Sequence, residues 1–187
     1  MLKEFIKKPI NRIDMMKKIK NIFKSQKNSM NFTTFVNTLE HAWIKEDKYL
    51  NSSFEEFFSN LKANHLKIMS DKKVLILRSN GMYSCTFENM DQTIIIVFPD
   101  LSKMLKSFDS RIGQAILGHE LGHVILNHSV RKIDLMTAQI EADRFACEIG
   151  YTQEIEEFLL SMPESTEKRM RLSYLTQFVL RASGIQS

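Results

Sequence analysis

His119-Glu120-Leu121-Gly122-His123-Val124-Ile125-Leu126-Asn127-His128 is the stretch on which the reading of this chain turns. His119 and His123 are four residues apart, so on a helix their imidazoles share one face, about one turn from each other. Glu120 follows the first histidine and can reach water held beside the pair. Two imidazoles and a glutamate at this spacing bind zinc and take up a proton from the water it activates. HExxH is a short pattern, but here it lies among Ile112, Ala115, Ile116, Leu117, Val124, Ile125 and Leu126, the apolar helical setting it requires. A lone histidine on such a face would read as a core residue. The triplet reads as His119 and His123 ligating zinc, with Glu120 as general base.

Outward from this stretch, composition sets the bounds. A chain of 187 residues with 43% apolar residues, 6 Gly and 3 Pro has the makings of one domain with a substantial core. Its net charge of +4 is unevenly spread. Residues 1–27 carry nine Lys and Arg against two acids, a net +7, which leaves −3 for the rest. A nucleic-acid enzyme would show basic residues around its site, and this body does not. Two cysteines, Cys85 and Cys147, are too few for a disulfide scaffold and fit a reducing compartment. There is no run of the ~18 apolar residues that span a bilayer, and no secretory signal. The expected location is the cytoplasm.

Along the chain, residues 1–28 mix lysines with Leu2, Phe5, Ile6, Ile10 and Ile13, as a basic amphipathic segment that packs on the domain or makes weak contact with a membrane surface. Residues 25–31 are a candidate linker, and residues 29–187 the single domain. A helix is expected over 32–44, and a second, capped by Ser52 or Ser53, through about residue 66. Val74-Leu75-Ile76-Leu77, then Asn80-Gly81, then residues 82–87 read as a hairpin, and Thr93-Ile94-Ile95-Ile96-Val97-Phe98 as a third strand. The expectation is therefore α+β: mostly helical, with a small three-stranded antiparallel sheet whose last strand lies near the HExxH helix. Further helices follow over 101–106, from Ser107 or Asp109 to about 128, after Asp134 up to Gly150, and over 152–162 and 165–181.

The motif together with Glu141-Ala142-Asp143-Arg144-Phe145-Ala146 resembles the gluzincin peptidases related to the CAAX prenyl proteases and the bacterial heat-shock membrane proteases. The second segment is also similar to the Glu-Ala-Asn-x-Phe-Ala of the small repressor-cleaving and radiation-response regulators. The likeness covers residues 93–175. It implies a zincin-like fold and a zinc-dependent endopeptidase acting on a peptide or protein substrate, in which the third strand pairs with the extended peptide. It also implies a donor for the oxyanion, for which Tyr83, Arg144 and Arg171 are candidates.

In that pattern a ligand glutamate precedes the Asp by four residues, and the Asp holds a ligand histidine. Four before Asp143 stands Gln139, a poor zinc ligand; Glu141 is the nearest carboxylate but points nearly the opposite way on a helix. Glu141 is taken as the third ligand because two imidazoles and an amide leave the zinc charge uncompensated. Glu148 is a more distant substitute. His128 lies nine residues after His119, where a metzincin has its third histidine at ten with a glycine at seven; Leu126 stands at seven here. His128 is thus read as a hydrogen-bonding support or a helix-terminal histidine, and Cys147 as core. The alternatives to an active endopeptidase are a non-catalytic protein that binds a peptide or protein partner, and a latent enzyme with residues 1–28 or 180–187 in its cleft.

Overall fold

Residues 30–71 fold as a chain of short helices: α1 (Phe32–Val36), a 3-10 turn (Leu39–His41), α2 (Ala42–Lys45), α3 (Lys48–Ser59) and α4 (Ala63–Asp71). The structure is a computed structural model and describes residues 30–79, 84–88, 92–182 and 184. The single helix expected over 32–44 is broken after Val36. There Asn37 donates to Thr33 O at 2.8 Å and Thr38 Oγ1 to Phe35 O at 3.2 Å, side chains competing for the backbone acceptors a helix would use. α3 starts earlier than expected because Asp47 caps it, accepting from the backbone N–H of Tyr49 and Leu50.

The sheet consists of β1 (Val74–Arg78), β2 (Ser84–Glu88) and β3 (Thr93–Val97) in the order β1-β3-β2. β1 runs parallel to β3, with Ile76 opposite Ile95, and β2 runs antiparallel to it, with Thr86 opposite Ile95. This corrects the expected antiparallel meander. The Asn80-Gly81 turn lies outside the described residues, and the strands on either side of it are not neighbours. β3 takes the centre because Ile94, Ile95, Ile96 and Val97 suit a strand covered on both faces. Both its edges are then in use, so it has none to offer a peptide. At the β1 edge, the backbone N–H of Ile76 donates to His41 Nε2 at 3.0 Å, and Trp43 Nε1 donates to Ile76 O at 3.3 Å. Two side chains thereby close the middle of that edge to further pairing.

The remainder is helical: α5 (Pro99–Leu105), α6 (Arg111–Ile125), α7 (Leu135–Glu148), α8 (Thr152–Ser161) and α9 (Thr166–Ala182). α6 carries the motif and is buried along most of its length, as the central helix of a core is. Its first turns are fixed by a polar cluster. Buried Gln114 donates to Glu56 Oε2 at 3.0 Å and accepts from Tyr151 Oη at 2.9 Å, while Arg111 pairs with Glu154 and donates to Gly150 O at 3.0 Å. α7 crosses α6 at close range: a Cβ on Gly122 would stand 3.0 Å from Ala142 Cα and 3.2 Å from Phe145 Cβ. As expected, Asp134 caps α7, accepting from Thr137 N at 2.9 Å, and Gly150 follows its end at φ +101°. None of the described helices is long and apolar enough to cross a membrane. The basic segment 1–28 lies outside the described residues.

Candidate metal centre

α6 presents His119, Glu120 and His123, and each is gripped from outside the helix. His119, 7% exposed, sets Nδ1 at 2.8 Å from Asp143 Oδ1 on α7. A carboxylate only accepts, so Nδ1–H is the donor to Asp143 and Nε2 is the nitrogen left facing His123. Asp143 is held in turn by Arg171 of α9, whose Nε and Nη2 donate to Oδ2 and Oδ1, both at 2.7 Å. Burial would raise the Asp143 carboxyl, but the hydrogen bonds from His119 and Arg171 outweigh it and keep it below the usual carboxylate range.

His123 is gripped on the other side. Its Nδ1 lies 2.7 Å from His128 Nδ1, and His128 Nε2 lies 3.0 Å from Glu141 Oε2. Arg131 completes the chain with a two-pronged bond, Nη1 to Oε2 at 2.5 Å and Nη2 to Oε1 at 3.0 Å. The Arg131 bonds, joined by the contact with His128, outweigh burial, which would raise it, and hold Glu141 below the usual carboxylate range. Burial lowers both rings, His123 to about 3, helped there by the neighbouring histidines. Both are neutral at neutral pH. His128 donates its Nε2–H to Glu141, which leaves its Nδ1 to accept from His123 Nδ1–H and turns His123 Nε2 toward His119.

The two Nε2 atoms face each other at 3.2 Å. With each Nδ1 engaged by another side chain, these are the two ring nitrogens placed to share one cation. Two nitrogens bonded to one tetrahedral zinc at ~2.0–2.1 Å would be ~3.3–3.4 Å apart. The pair fits zinc in donor type and in spacing. Glu120, next along the helix, accepts at Oε2 from Thr86 Oγ1 of β2 at 2.7 Å. β2 thus supplies the hydrogen bond to the motif, while β3, expected near this helix, also packs against it.

The other sequence-derived candidates fall as follows. Glu141, expected as third ligand, turns its carboxylate to Arg131 and His128. Among the described residues no three His, Cys, Asp or Glu side chains are grouped as a metal site. Gln139 stands one turn before Asp143 on α7, on the same face of that helix. Arg171, considered as an oxyanion donor, is 4% exposed and engaged with Asp143 and Glu167. Arg144 pairs with Glu148 at 2.8 Å on the helix surface, and Tyr83 lies outside the described residues. Cys147 is buried core, its thiol pushed up to about 12 by burial. Sequence reading missed the roles of Thr86, Arg131 and Arg171; none has a local spacing that would tie it to the motif.

The profile of peptidase family M48 matches residues 45–150, more than half of the chain and the whole of the sheet, α6 and α7. The chain belongs to peptidase family M48. It is therefore a peptidase, of a family whose members are metallopeptidases. The matched span opens earlier than the likeness read from the sequence and ends before α9, so Arg171 lies outside it. It reaches as far as the M48 family and does not distinguish the prenyl-protease or heat-shock-protease branch, or a likeness to the repressor-cleaving regulators, within that reading. No curated protein and no solved structure matches the chain.

Proposed function

We propose that this M48 peptidase is a zinc-dependent endopeptidase, with His119 and His123 as ligands and Glu120 as general base. The observation that carries the reading is the pair of Nε2 atoms facing each other at 3.2 Å beside a glutamate on the same helix. Zinc, when bound, supplies Lewis acidity that polarises the scissile carbonyl and lowers the pKa of water. Glu120 accepts the proton of the attacking water and returns it to the leaving amine. Thr86 holds one carboxylate oxygen of Glu120 and so orients the group. β2, the edge strand beside Glu120, offers its outer backbone groups to an extended peptide, whereas the β1 edge is closed by His41 and Trp43. Glu120→Gln tests the reading: the amide keeps the shape but cannot take the proton, so zinc content should be retained and hydrolysis of a peptide library lost. Turnover by that variant would remove Glu120 as the base.

One observation favours a second reading. With Glu141 bound to Arg131 and His128, the donors grouped at the site are neutral imidazoles, which compensate little of the zinc charge. A protein that keeps the fold to bind a peptide without cleaving it would tolerate that. Digestion of casein by the zinc-loaded protein, stopped by a strong chelator, decides for the enzyme; an inert loaded protein decides for the binder.

A further inference from the structure

We infer that His128, Glu141 and Arg131 are positioning residues for the metal centre: together they fix His123 in the Nδ1–H tautomer and hold its Nε2 toward His119. The consequence for zinc rests on the function proposed above; the tautomer does not.

The arrangement begins with how α6 ends. Asn127 adopts φ +57°, the left-handed region, and the chain reverses at once. His128 N then donates to His123 O at 3.1 Å and Asn127 N to Val124 O at 3.3 Å, the paired bonds of a Schellman turn. On a continued helix His128 would have rotated away from His123. The turn folds it back, with the two ring centroids 4.9 Å apart and the rings steeply inclined at 76°. The His128 side chain is 5% exposed, so water does not replace its contacts. Glu141 fixes which His128 nitrogen bears the proton, and Arg131 fixes Glu141 with two parallel bonds.

The same device stands on the other side of the centre, where Arg171 and Asp143 fix His119 directly. There a carboxylate meets the ligand imidazole; at His123 the carboxylate acts through a second imidazole. Glu141 thus supports the centre without entering it, which accounts for a carboxylate on a different face of α7 from Asp143. Partners of this kind set ligand orientation, and losing one lowers metal affinity by about 10–100-fold.

Long-range proton–nitrogen correlation spectra of the metal-free, nitrogen-15-labelled protein at neutral pH read the tautomer directly. Wild type should show His123 protonated at Nδ1 alone. His128→Leu should convert it to a mixture, whereas His128→Asn, whose Oδ1 can accept in place of Nδ1, should preserve it. Zinc affinity, from competition with a chelator, should fall by about 10–100-fold in His128→Leu and much less in His128→Asn. Should His128→Leu fail to fold, Glu141→Gln, at a partly exposed position, should show the same mixing in weaker form. An unchanged His123 tautomer in the folded variants, or equal damage from Leu and Asn, would overturn the inference. Tautomer changes as described in a wild-type protein that takes up no zinc would uphold the positioning chain and defeat the zinc reading instead.

Discussion

Asp143 joins three helices through one carboxylate, accepting from His119 on α6 and from Arg171 on α9 while sitting on α7. All three side chains are buried, so removing the acid strands a guanidinium in the core. Asp143→Ala should cost about 3–5 kcal/mol, visible as a lower urea midpoint, and should weaken zinc binding in the protein that remains folded. At Glu120 the dependence is finer. Thr86→Val deletes the 2.7 Å bond to Oε2 and should lower kcat while leaving zinc content and stability near wild type. That His119, Glu120 and His123 sit together on one helix was legible because local spacing alone carries that grouping. Arg171 was not, because its partner Asp143 is 28 positions away and no local pattern ties the two. Glu141 shows the limit of both kinds of evidence. Charge compensation argued for it as a ligand, while its place two residues from Asp143 argued that it points elsewhere, and its contacts follow the second argument.

Among the elements, the α6–α7 crossing sets the distance between His119 and Asp143, and Gly122 permits it. Gly122→Ala would push a methyl group toward Ala142 Cα, an approach of 3.0 Å that only backbone movement relieves. The expected cost is about 1–3 kcal/mol, with zinc affinity falling alongside, whereas Gly150→Ala would report backbone strain alone. The turn after α6 makes a different prediction. Asn127→Gly should be neutral or nearly so, and Asn127→Val should destabilise because a β-branched residue resists φ +57°.

His41 gives the fold a dependence on pH. Its Nε2 accepts from Ile76 N, so a proton there would oppose the N–H, and burial lowers its pKa below the ordinary 6.5. A depressed histidine means the unfolded chain binds more protons, so this contribution is complete above about pH 6.5 and is lost as pH falls toward the lower, folded value. Urea midpoints measured from pH 7.5 to 5 should fall less steeply in His41→Gln than in wild type. Helix positions were largely readable from apolar spacing, Asp134 and Gly150. Sheet order was not, because strand patterning tells which face is buried and not which strand lies alongside; the unbroken apolar run of β3 was the one clue to its central place.

At the scale of the whole molecule, the elements and the core around α6 among the described residues lie within residues 32–182. We propose that residues 29–187 form the domain, so a protein lacking residues 1–28 should unfold cooperatively with a midpoint close to that of the full chain. Broad, non-cooperative melting would show the segment to be part of the core. Composition and charge point to one domain without any knowledge of contacts. The depth of the site did not follow from them, since it depends on α9 delivering Arg171 to the far side of Asp143. The account as a whole stands on zinc held between His119 and His123. Metal analysis of protein purified without added metal, then dialysed against zinc, measures this directly. About one zinc per chain in wild type, and none retained at that affinity in His123→Ala, is the result expected; a stoichiometry near zero after dialysis, or full binding by His123→Ala, would contradict it.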